Sequence, residues 1–94
     1  MKDKSLRRKI AEKIDMPADI IMDCALIRMS GNYEIFIENY KGILKYTDKK
    51  ISVKTYPHNI FITGNSLEIK IITDELLCIT GDVLKVSFSS EGEE

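Results

Sequence analysis

The sequence predicts an all-β domain preceded by a short N-terminal helix. Three observations carry this. The hydrophobic period changes from about four residues to two after Asp19. The two-residue period then runs through a series of segments rich in Ile, Val, Leu, Phe and Tyr. A turn-like segment also recurs at Gly31, Thr47, Gly64 and Gly81, at spacings of 16, 17 and 17 residues. The architecture expected is a set of repeated β-hairpins in an antiparallel meander that folds over as a sandwich. A short β-solenoid of stacked turns is the alternative.

The elements follow in order. Leu6, Ile10 and Ile14 form one narrow apolar stripe, with Lys and Arg on the other faces, so residues 3–15 read as a helix. Met16-Pro17 ends it, because the residue before proline avoids the α region. Strands are expected at 20–29, 33–38, 43–46, 50–55, 59–63, 66–72, 76–80 and 83–89. In 66–72, Leu67, Ile69 and Ile71 alternate with polar residues, and in 83–89 Leu84, Val86 and Phe88 do the same. One dry and one wet face indicate antiparallel pairing.

The repeat is read from three copies. Ser30-Gly31-Asn32, Thr63-Gly64-Asn65 and Thr80-Gly81-Asp82 each lead into an apolar-polar alternation, and Tyr46-Thr47-Asp48 is a weaker copy without glycine. Gly-Asn and Gly-Asp tolerate positive φ, which two-residue hairpin loops need, so each copy is expected to be a hairpin turn. That favours the meander over the solenoid. Pro57 belongs in a loop or on an edge.

The 94 residues make one domain with a thin core. Its expected parts are a basic helix or arm at 1–16, a β domain at 17–90 and an acidic tail at 91–94. Residues 1–16 hold six bases and three acids, the tail holds three glutamates, and 18–90 hold eight bases and nine acids. A neutral middle gives no field for a nucleic-acid backbone, no nucleic-acid partner is expected, and any attraction to an anionic partner is expected to come from the N-terminal segment. The charged N-terminus is not a secretory signal, no apolar run is long enough for a membrane span, and a cytoplasmic protein is expected. Cys24 and Cys78 lie in strand-like runs, where they are expected to pack as reduced thiols.

The search for chemistry points away from an enzyme. His58 is the only histidine, and it sits in a predicted loop. There is no CxxC pair, no phosphate-cradling glycine loop, and no row of aromatic and basic residues for stacking bases. No catalytic, cofactor-binding or metal-ligating residue is assigned, and no cofactor is expected. Partner contact is expected from Lys2, Lys4, Arg7, Arg8, Lys9 and Lys13 on the arm. It is expected also from Glu38, Asn39, Tyr40 and Lys41, where a polar stretch interrupts the strand pattern. Asn39 or Gly42 is expected at positive φ there.

The same residues carry a family resemblance. The Met16-Pro17 break after a basic helix is followed by Ile37-Glu38-Asn39-Tyr40-Lys41-Gly42-Ile43-Leu44-Lys45-Tyr46-Thr47. Then come Ile62-Thr63-Gly64-Asn65-Ser66-Leu67-Glu68-Ile69 and Leu77-Cys78-Ile79-Thr80-Gly81-Asp82-Val83. In order and spacing these resemble the YabP/YqfC family of sporulation proteins over residues 16–89, most of all its YqfC branch. The resemblance implies a protein of endospore formation, made in the mother cell and acting in spore envelope or coat development. It implies no catalytic residue and no cofactor.

The function expected is a non-enzymatic structural or interaction protein of sporulation. It would associate with itself through exposed β edges, or with a sporulation membrane protein. The alternative is a small adaptor or regulatory module held at a membrane surface by its basic arm.

Overall fold

A computed structural model describes residues 22–89. Six strands form one antiparallel sheet: β1 (Leu26–Ser30), β2 (Glu34–Glu38), β3 (Gly42–Tyr46), β4 (Lys50–Lys54), β5 (Asn59–Ile72) and β6 (Leu76–Ser89). Their order across the sheet is β1-β2-β6-β5-β4-β3. The expected all-β antiparallel class is therefore observed, and every pairing is antiparallel, which is not the geometry of a solenoid. The meander is partial. Strands β3 to β6 are consecutive neighbours, but β2 pairs with β6 instead of β3. The helix expected at 3–15 and the acidic tail at 91–94 lie outside the described residues.

Connectivity forces the sheet to fold over. In a flat sheet, strands about 4.8 Å apart would place β2 and β3, four places apart, some 19 Å from each other. Only residues 39–41 join them. That link reaches about 14 Å at most. Moreover, β2 ends beside Leu76, at the closed end of the long β5–β6 hairpin, whereas β3 begins beside Lys54, near its open end. So short a link can bridge both ends only if the 14-residue strands bend back on themselves.

Two layers result. The first contains β1, β2, the first half of β6 and the second half of β5. The second contains β3, β4, the first half of β5 and the second half of β6. Ile35 and Ile37 of β2 and Leu77 and Ile79 of β6 enter one apolar cluster with Ile51 and Val53 of β4 and Ile60 and Ile62 of β5. Each is at most 1% exposed. Where a second layer lies opposite, Ile51 and Val53 face the core and Lys50, Ser52 and Lys54 take the other face, where Ser52 is nonetheless buried.

Gly64 and Gly81 are not hairpin turns, contrary to the sequence expectation. Each lies inside a strand that the sequence splits in two, so 59–63 with 66–72, and 76–80 with 83–89, are single bent strands. Register shifts between Thr63 and Gly64, and between Asn65 and Glu68, mark the bend. Ser66 has φ 53° and Gly81 has φ 140°. Glycine is needed there for close approach. A Cβ on Gly64 would lie 2.1 Å from the Asp82 carbonyl oxygen, and one on Gly81 would lie 2.6 Å from that of Ser66.

The repeat has a different physical meaning from the one its turn chemistry suggests. The β3–β4 tip docks on the β5 bend: Gly64 N donates to Lys49 O (3.0 Å) and Leu67 N to Asp48 O (2.8 Å). The β1–β2 tip docks on the β6 bend: Gly81 N donates to Tyr33 O (3.2 Å) and Val83 N to Asn32 O (2.8 Å). The repeated segment is a hairpin tip in two copies and a strand bend in the other two, and tips meet bends in pairs. Gly31, at φ 50° in the β1–β2 turn, is the glycine that serves as the sequence predicts.

Candidate interaction site

Residues 39–41 strap the two layers together. Asn39 adopts φ 65°, the left-handed conformation that asparagine tolerates best among residues with a side chain. Gly42 is not at positive φ. The Asn39 backbone N donates to Glu75 O (2.7 Å), and its Nδ2 reaches Asp23 O (3.0 Å) and Cys24 O (3.3 Å). Tyr40 Oη donates to Thr73 O at 2.5 Å. Lys41 N donates to Lys54 O at 2.7 Å, and its Nζ lies 3.5 Å from Asp23 Oδ1. Glu38 closes β2 between Leu26 and Leu76. The four residues expected to meet a partner are thus brought together at the crossover, where they also hold the fold closed. Lys2, Lys4, Arg7, Arg8, Lys9 and Lys13 lie outside the described residues.

The outer edges, β1 and β3, differ. Strand β3 carries a bulge between Ile43 and Lys45, and a lysine on the edge itself. Its Tyr46 Oη accepts the backbone N–H of Ile69 at 3.0 Å, which draws β3 towards β5. Bulges, edge lysines and covered backbone all discourage pairing with another chain. Strand β1 pairs with β2 through five residues without a bulge. Among the described residues it has a strand neighbour on that side only. Arg28 is its one charge, and that guanidinium lies over the Phe36 ring, 5.0 Å from its centroid.

An apolar groove of about 340 Å³ runs beside β1, lined by Cys24, Ala25, Ile27, Tyr56, Ile60 and Phe88. Phe88 pairs with the fully buried Ile60 and so points inward, yet it is 61% exposed. Leu84, in the extra position of a bulge opposite Gly64, is 65% exposed. The dry face predicted for 83–89 is therefore half-buried only at Val86, because the first layer ends before it covers this end of β6. In 66–72, the shift between Ile69 and Ile71 turns Ile71 to the face of Cys78, and it too is exposed. Sequence alternation identifies which residues share a face. It does not show where a facing layer stops.

The reactive groups are dispersed. Cys24 and Cys78 are not joined in a disulfide. Cys78 is 2% exposed, and its Sγ lies 3.9 Å from Glu34 Oε2. Burial, then the neighbouring Glu34 carboxylate, raises its pKa above the ordinary thiol value. This disfavours the reactive thiolate. His58 is exposed in the loop that contains the cis Tyr56-Pro57 bond, and its carbonyl accepts Thr55 Oγ1. Among the described residues, no three of His, Cys, Asp and Glu are grouped to hold a metal ion. None of the helices among them is long and apolar enough to cross a membrane.

Comparisons with known proteins agree with the sequence resemblance. The YabP family model matches residues 25–94. A protein of Bacillus subtilis (strain 168) called "Uncharacterized protein YqfC" is 27% identical over 74 residues, which span 79% of this chain and 80% of that protein. No solved structure matches the chain.

Proposed function

This chain belongs to the YabP family, and from that premise we propose that it is a non-enzymatic interaction protein of bacterial endospore formation. Membership of the family is consistent with a sporulation-related role. In this reading the protein works in the mother cell, in spore envelope or coat development, through contacts with other proteins.

The observation that carries the mechanism is the edge of β1. It is regular, unbulged and nearly uncharged, and an apolar groove lies beside it. Such an edge supplies backbone donors and acceptors for an added strand, while the groove takes alternate side chains of the incoming segment. A second copy of this chain is the occupant proposed. Two β1 edges pairing antiparallel would be an isologous contact, joining two sheets into one across a two-fold axis.

The test is genetic and specific. In the spore-forming host, the gene is deleted or replaced by a Met29→Lys variant. Met29 is 46% exposed on β1, so a charge is tolerable there in the folded chain but hinders edge pairing. Both strains are expected to yield fewer heat-resistant spores. Normal spore yield in the deletion strain would refute the sporulation role. Normal yield in the Met29→Lys strain alone would refute the β1 mechanism.

A further inference from the structure

The charges that cancel along the middle of the chain do not cancel in space. The strand segments of the second layer, 42–46, 50–54, 59–65 and 83–89, contain Lys45, Lys50, Lys54 and Lys85 and no acid. Those of the first layer hold Glu34, Glu38, Glu68 and Asp82 with Arg28 and Lys70. Strand register puts all four second-layer lysines on the outward face. Lys50 pairs with Thr63 and Thr63 with Lys85, making one row, and Lys45 with Ser52, Phe61 and Ser87 makes the next. Lys54 follows Ser52 by two residues on the same face. Among the described residues, two acids lie at the margins of this face. Asp48 is in the β3–β4 tip, and Asp82 is at the bend, where its Oδ1 accepts Asn32 Nδ2 at 2.8 Å.

Hydroxyl groups lie between the lysines. A hollow of about 350 Å³ on this face is lined by Lys50, Thr63, Lys85, Ser87 and Ser89 around Phe61, with Phe88 at its margin. Ser52 Oγ, on the same face, is buried and has no hydrogen-bond partner. Exposed apolar residues flank the lysines: Leu44 beside Lys45 and Leu84 beside Lys85.

We propose that this lysine-rich face of the second layer docks on an anionic membrane surface. Lys50 and Lys85 are two strands apart, about 10 Å on the sheet. The four lysines are distributed over β3, β4 and β6, more charge over a wider face than one small anion takes up. They match a plane of phosphate headgroups, and the flanking Leu44 and Leu84 side chains can enter the headgroup boundary. Stacked bases of single-stranded nucleic acid fit less well, because Phe61 is only 9% exposed and offers no free ring face. The proposal does not rest on the sporulation reading or on β1 pairing.

The test is vesicle co-sedimentation of the full chain. Vesicles of phosphatidylcholine alone are compared with phosphatidylcholine mixed with phosphatidylglycerol, at low and high salt. Binding is expected only to the anionic vesicles, with loss at high salt. One base near such a surface contributes a factor of about five. The variant Lys45→Gln/Lys50→Gln/Lys54→Gln/Lys85→Gln is therefore expected to bind at least about tenfold more weakly. The pair Lys45→Gln/Lys85→Gln, a milder change to the folded chain, is expected to fall between this variant and the unmodified protein. Replacing Lys2, Lys4, Arg7, Arg8, Lys9 and Lys13 with Gln should leave the contribution of the face in place. Undiminished binding by the four-lysine variant would overturn the proposal. So would failure to bind anionic vesicles by a chain that binds single-stranded RNA or polyglutamate instead.

Discussion

Replacing Gly64 with alanine tests the idea that glycine serves close approach here, not turning. The added Cβ would stand 2.1 Å from Asp82 O, a backbone atom of the facing strand. Close carbon–oxygen contacts sit near 3.3 Å, so the two strands must part by about 1.2 Å. That opening strikes the Asn65–Asp82 pairing and the two bonds by which the β3–β4 tip docks, Gly64 N to Lys49 O and Leu67 N to Asp48 O. At about 1 kcal/mol for each hydrogen bond, the loss is about 3 kcal/mol. A domain of this size is stable by roughly 5–14 kcal/mol. Gly42→Ala is the control, since nothing lies within 4 Å of its Cβ and its φ is not positive. It should be neutral or stabilising by up to about 1 kcal/mol, through fewer unfolded conformations. Denaturant unfolding of the three proteins reads both effects. A Gly64→Ala chain within about 1 kcal/mol of the unmodified protein would refute the close-approach argument.

Two further perturbations address the crossover and the buried thiol. Asn39→Ala places an ordinary side chain at φ 65° and removes two side-chain bonds to the backbone of Asp23 and Cys24. A loss of about 2 kcal/mol is expected in the same unfolding assay, and Asn39→Gly should recover part of it. Cys78 keeps its proton in the folded chain to higher pH than in the unfolded chain. Its contribution to stability is therefore fully present below the ordinary thiol pKa of 9.0 and declines as pH rises above it. Cys78→Ala should flatten the alkaline limb of the stability–pH curve. An unchanged limb would show that the thiol does not cause it.

Much of the fold was legible because local chemistry and tertiary packing agree in most strands. β-branched and aromatic runs gave β2, β3 and β4 to within a residue or two. The predicted strand at 20–29 begins later, at Leu26. The errors cluster where backbone meets backbone. Gly64 and Gly81 carry the residues of a hairpin turn, yet they accommodate hairpin tips arriving from elsewhere in the chain. Nothing local to Thr63-Gly64-Asn65 distinguishes a turn from a bend that another strand must approach. The candidate site was less legible still. The groove beside β1 joins β1, the loop at 55–58, β5 and β6, and the lysine face is made by register across β3, β4, β5 and β6, so their members are scattered from Cys24 to Ser89. Lys45, Lys50, Lys54 and Lys85 look like ordinary wet-face residues until the strands are paired.

Mass in solution, by light scattering over a range of concentrations, tests the proposed interaction most directly, using the full chain and its Met29→Lys variant. A dimer or larger assembly is expected for the full chain and a monomer for Met29→Lys, with both folded by circular dichroism. A full chain that stays monomeric at every concentration, or a Met29→Lys chain that assembles as the unmodified protein does, would contradict it.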